Sequence, residues 1–278
     1  MNATDRSTSI RQILAVQILE LRKRFLGKRA IPVYMIAFIP LILFAGRFVA
    51  IQIFHLHQMG TLAEDRVLYA TLFRTLILRF VVYFGCVAVF VPLFRGDILD
   101  RSLHYYFLVP MKRRQLTLAK YLSGLTAALV LFCGVTTATW MLLYLTRGPS
   151  ALVEQLTSAH GWFELLSYVL VTTLAVVGYG AVFLAAGAFF KNPIVPAIAI
   201  LGWESINALL PPVLKRISVI HYLDSLCPVS IPASSGIAIL ADPASPWVGV
   251  PGIVALAAAL LALAAWRVSR LEVLYGVE

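Results

Sequence analysis

The chain has 278 residues, of which 60% are hydrophobic and only 13% charged, with a mean hydropathy of +0.88. A soluble domain is close to half apolar and a quarter charged, so this composition excludes an ordinary soluble fold and leaves room for several membrane crossings of about 20 residues each. The formal net charge of +10 lies mostly beside the apolar runs, which points to an anionic membrane surface as the partner of the basic residues and argues against nucleic acid.

Residues 1–29 contain no uninterrupted apolar core of the kind a cleaved leader needs. Within them, "SIRQILAVQILELRKRFLGK" places Ile10, Ile13, Leu14, Leu21 and Phe25 at helical spacing, with Arg11, Arg22, Lys23, Arg24 and Lys28 supplying a basic face and end. Such a segment lies in the membrane interface. Residues 30–278 then form a single transmembrane domain, with six spans expected at about 31–54, 68–94, 117–145, 163–190, 194–213 and 247–267. The runs are too long for barrel strands and lack alternation, so helices are the spanning form. The expected architecture is an all-α polytopic membrane protein with six transmembrane helices, an N-terminal interfacial amphipathic helix, a charged cytoplasmic helix and a re-entrant outer segment before the last span.

Most of the 23 lysines and arginines fall on the side that carries both ends of the chain, so both termini are expected to be cytoplasmic. Trp140, Tyr144, Trp162 and Trp247 then fall near the outer interface and Trp266 near the inner one, where indole and phenol rings settle. The outer segment 214–246 has apolar pieces too short to cross, broken by proline, serine and glycine. It reads as short helices dipping into the outer leaflet or packed against the bundle.

Other site signals are weak. Cys86, Cys133 and Cys227 are odd in number and imply no disulfide framework. His55 and His57 share an expected loop, and His104, His160 and His221 stand apart, so no metal site is read. Gly178, Gly180, Ala181, Ala185, Ala186 and Gly187, and the run Ala255–Ala265, favour close helix approach.

Charges within the apolar runs matter more, because each costs about 2.5–3.5 kcal/mol at a span centre and must face protein, water or an interface. Arg47 and Arg79 fall in the outer halves of their spans, and Arg74 is placed to snorkel outward. Glu204 lies deep in the fifth expected span, with Trp203 and Asn207 close by. It either lines a pathway or makes a structural hydrogen bond or ion pair, with Arg79 or Arg47 as candidate partners.

The segment "RGDILDRSLHYYFLVPMKRRQLTLAK", from Arg95 to Lys120, interrupts two apolar runs. Leu99, Leu103, Tyr106 and Phe107 make one face of a short helix. Asp97, Asp100, Arg101 and His104 populate the other side, and Pro110 ends it. This segment resembles the cytoplasmic loop of ATP-binding-cassette (ABC) transporter permeases of the type-2 exporter class. Asp97 or Asp100 stands at that loop's acidic position, Ser102-Leu103 at its short step, Pro110 at its proline, Lys112–Arg114 at its turn and Lys120 at the lysine that opens the next span. Aspartate replaces the more usual glutamate, and "HYYFLV" is bulkier than the pattern.

The resemblance implies a permease subunit that forms the pathway with a second copy of itself and two ABC ATPase subunits. ATP and Mg would sit on the ATPase and no cofactor on this chain. The coupling loop, 95–116, would carry a coupling helix at about 97–108 that docks on the ATPase, and Lys191 in "KNP" would make a smaller second contact. The chain contains no GxxxxGK[ST] phosphate loop, so any ATPase lies on another polypeptide and no catalytic residue is assigned here. An ion-coupled secondary transporter and a non-transporting membrane scaffold or sensor subunit are the rival readings. The class also places the protein in the inner (cytoplasmic) membrane.

Overall fold

The computed structural model describes residues 11–12, 14–22, 27, 30–53, 61–100, 108, 112–206, 218–229 and 246–270. Among them the chain is helical without strands, and five helices are long and apolar enough to cross a membrane: Ile31–Gln52, Leu62–Leu99, Arg113–Leu145, His160–Phe189 and Trp247–Ser269. The chain is thus a multi-pass, all-α membrane protein. In order, the helices are α1 (Ile31–Ile53), α2 (Leu62–Leu99), α3 (Arg113–Leu145), α4 (Pro149–Thr157), α5 (Ala159–Phe189), α6 (Ile194–Ser205), α7 (Val219–Leu226) and α8 (Pro246–Ser269).

The second crossing is longer than its apolar run, 68–94. It starts at Leu62 because Thr61 caps it: the Glu64 amide donates to the Thr61 hydroxyl at 3.4 Å, and the Thr61 amide to the Glu64 carboxylate at 3.2 Å. It continues to Leu99, so Arg95 to Leu99 belong to the membrane helix rather than to a loop. Its middle, Phe73–Val82, is π-helical. At the next entry Gln115 receives the Lys112 amide at 3.3 Å, and α3 begins at Arg113, which moves residues 113–116 out of the expected loop as well. The fifth expected span, 194–213, is represented by α6 alone. Its twelve residues rise about 18 Å, short of a ~30 Å hydrocarbon core; residues 207–213 lie outside the described residues.

The long α5 is the centre of the bundle, packing against α8, α3 and α2. Its small residues let it do so. A Cβ on Gly187 would meet the Val91 carbonyl oxygen at 2.6 Å, and one on Gly180 would meet the Phe90 ring at 2.6 Å, so glycine permits the α2–α5 approach. Aromatic rings fill the remaining space. Tyr69, Phe73 and Tyr168 meet edge-on or stacked, as do Tyr83, Tyr179 and Phe183. The described part of the outer segment is packed against the bundle: Val219, Ile220, Tyr222 and Leu223 of α7 are buried against α5 and α8.

Candidate functional site

Buried charges mark two levels along the bundle. At the base, where the N-terminal segment docks, Lys120 reaches Glu20 at 2.7 Å and also bonds Asp97. All three side chains are sealed, with exposures of 0%, 0% and 1% for Lys120, Glu20 and Asp97. Arg113 donates to the Ser269 carbonyl at 3.2 Å and so caps the end of α8. At the opposite level, Asp65 receives Arg47 at 2.5 Å and Arg147 at 2.6 Å, and Arg66 pairs with Glu164 at 2.8 Å. From Lys120 to Leu145, and again from Glu164 to Phe189, the helices rise about 37 Å at ~1.5 Å per residue. That span fits a hydrocarbon core of ~30 Å with its interfaces on either side.

A third polar group lies between these levels. Tyr179 is about 22 Å along α5 from Glu164, and Glu204 about 15 Å along α6 from Ile194, so both sit near mid-depth. The Tyr179 hydroxyl donates to the Glu204 carboxylate at 2.7 Å, and the Ile220 amide, in the first turn of α7, donates to its other oxygen at 3.4 Å. Glu204 therefore receives the exposed amides of a helix start, where a carboxylate is favoured. Two short helices, α6 and α7, meet at this carboxylate, a geometry found where broken helices line a site within a membrane.

The π-helical stretch of α2 adds the cations. A π-helix turns roughly 4.4 residues per turn, so residues five apart lie about 50° apart around the axis rather than the ~140° of an α-helix. Arg74 and Arg79 thus share a face that meets the α7 region. Arg74 donates to the Val229 carbonyl at 2.8 Å, and Arg79 stands 3.8 Å from Asp224. Arg74 is accordingly tied to the outer segment rather than left to snorkel. The Arg79–Asp224 pair is loose and open, with side-chain exposures of 45% and 38%. Beside it, Ile36, Ile39, Leu76, Phe80, Val81, Phe84, Val87 and Ala88 line an apolar groove of about 320 Å³ between α1 and α2.

The residues singled out in the sequence divide among these places. Asp97 is buried in the base cluster, and Asp100 is exposed at the end of α2. Lys191 is exposed in the turn before α6. Arg101, Leu103, His104, Tyr106, Phe107 and Pro110 lie outside the described residues, as does Asn207. Trp203 is half-buried beside Glu204. The expected pairing of Glu204 with Arg79 or Arg47 is corrected: its direct partners are Tyr179 and the Ile220 amide, because Arg47 is taken by Asp65 and Arg79 faces Asp224. Sequence reasoning missed Glu20, Tyr179 and Asp224. Glu20 carried a usable signal, being an acid within a helix whose other charges are mostly basic.

The N-terminal segment also turns over relative to expectation at one point. It buries Glu20 while Leu14, Ile18 and Leu19 remain exposed. Among the described residues no group of histidine, cysteine and carboxylate side chains is arranged to hold a metal ion. The chain matches no protein-family model, no curated protein and no solved structure.

Proposed function

We propose that the chain is the membrane subunit of an ABC exporter, working as a dimer with two separate ATPase subunits that bind ATP and Mg. The observation that carries this reading is the base cluster. Asp97 and Lys120, two charges by which the stretch from Arg95 to Lys120 resembles a permease coupling loop, are joined there with Glu20. Through this cluster α2, α3 and the N-terminal segment are fastened to one another near the two helix ends that the loop joins. Closure of an ATPase against the residues that follow Leu99 would then be delivered to these fastened helices. Lys191 offers the smaller second contact, and the excess of basic residues on this side favours a cytoplasmic position for both termini of an inner-membrane protein.

In this reading the mid-depth group near Arg79 and Glu204 belongs to the pathway. Half-exposed charges at such depth need water, a second subunit or cargo against them. The test is isolation of the tagged chain from its native membranes. It should bring down a nucleotide-hydrolysing polypeptide, and reconstitution of the two should give ATP-dependent transport. Isolation without any ATPase, together with transport driven by a proton gradient, would replace this reading with the secondary-transporter one. Glu204, a titratable group buried at mid-depth, is the observation on which that second reading rests.

A further inference from the structure

We propose that Arg79 and the apolar groove beside it form one binding site for an anionic amphiphile, a molecule with a phosphate-like or carboxylate head and a hydrocarbon chain, entering from the bilayer. As a statement about cargo this rests on the exporter reading; as a statement about binding it does not.

Chemistry at both ends of the site supports it. Phe80 follows Arg79 directly and is itself a wall of the groove, with more than half of its surface exposed, so the Arg79 side chain leaves the backbone next to a groove wall. Among the described residues the groove has no charged wall: the eight that line it are aliphatic or aromatic. From Leu76 to Ala88 it runs along α2 for over 15 Å, allowing ~1.5 Å per residue and somewhat less in the π-helical part. Its volume of about 320 Å³ is at the small end of ligand sites, the range for a single chain rather than a bulky ring system.

Among the described residues the charge at the head end is positive in balance. Arg74 and Arg79 are set against one half-buried carboxylate, Asp224, with His221 on the same helix. Glu204 is nearby but committed to Tyr179 and the start of α7. Arg79 stands 3.8 Å from Asp224 and is nearly half exposed, so its remaining donors are open to a second anion without breaking a tight pair. In low dielectric a guanidinium–anion contact is among the strongest polar contacts available, whereas a neutral head would leave the cation unsatisfied at depth.

The test uses the full chain purified in dodecyl maltoside, with dodecyl phosphate as probe. The detergent carries the same chain on a neutral head and so competes for the groove alone. We expect saturable binding of dodecyl phosphate that Arg79→Gln weakens about tenfold or more, that Arg79→Lys largely keeps, and that Ala88→Leu, which narrows the groove, also weakens. Inorganic phosphate should not displace it. Absence of saturable binding, equal binding by Arg79→Gln, or displacement by inorganic phosphate at similar concentration overturns the proposal. Should Arg79→Gln fail to fold, unchanged binding in Ala88→Leu overturns it equally. Binding as expected from a chain that brings down no ATPase would overturn the exporter reading and leave the site standing.

Discussion

Of the three groups of charges along α2, two receive opposite treatment. At Asp97 the helix meets Lys120 and Glu20 with no solvent access. At Arg79, deeper in the membrane, the pair with Asp224 is long and nearly half open. If burial alone governed charge, the deeper pair would be the sealed one. The contrast separates two uses of charge: the base cluster fixes elements together, and the mid-depth pair is left available to something else. Glu204 stands beside the second group yet resembles the first, since it is buried and fully engaged by Tyr179 and the start of α7.

Replacing the cation of the base cluster should have the largest effect on stability. Lys120→Met leaves Glu20 and Asp97 buried without their shared ammonium, and removing one partner of a buried pair costs about 3–5 kcal/mol. Thermal unfolding in detergent should show a large loss. A near-neutral result would mean that the two carboxylates find other cations, and the contrast with Arg79 would collapse.

Gly187→Ala comes next. The new methyl would press on the Val91 carbonyl, a backbone atom that cannot rotate away, and should cost about 1–3 kcal/mol. It measures how tightly α2 and α5 are locked between the two charged groups. Tyr179→Phe removes one interhelical hydrogen bond to Glu204, for which about 0.6–1.7 kcal/mol is expected within a membrane. A much larger loss in the same unfolding assay would place Glu204 firmly with the structural charges.

The smallest change in stability belongs to Arg79→Gln. Its pair with Asp224 is long and nearly half open, so unfolding should shift less than in Tyr179→Phe while transport, followed in reconstituted vesicles, falls. Equal loss of both would make the mid-depth pair another structural fastening.

The helices themselves were largely readable from the sequence, and the contacts between them were not. The apolar run from residue 31 ends within a residue or two of α1, because lipid exposure demands a continuous apolar surface. The start of α2 at Leu62 was hidden by polar Glu64 and Asp65, although Thr61 with Glu64 is a capping pattern that could have located it. The π-helical stretch leaves no mark in composition, since it differs from an α-helix only in which carbonyl each amide reaches. Without it, Arg74 and Arg79 read as two unrelated cations on different faces. Lys120 and Glu20 are a hundred residues apart, and Arg79 and Asp224 farther still, so a single sequence carries no trace of their meeting. Tyr179 sits between Gly178 and Gly180 of the small-residue stretch, where nothing local singles out its hydroxyl.

The account turns on whether the segment after α2 engages a separate motor. A photoreactive amino acid placed at Leu103, and in a second preparation at Tyr106, should be activated in native membranes while ATP is being hydrolysed. The expected product is a covalent adduct with a second, ATP-binding polypeptide, lost when the cells lack that polypeptide. Adducts with lipid alone at both positions would contradict it.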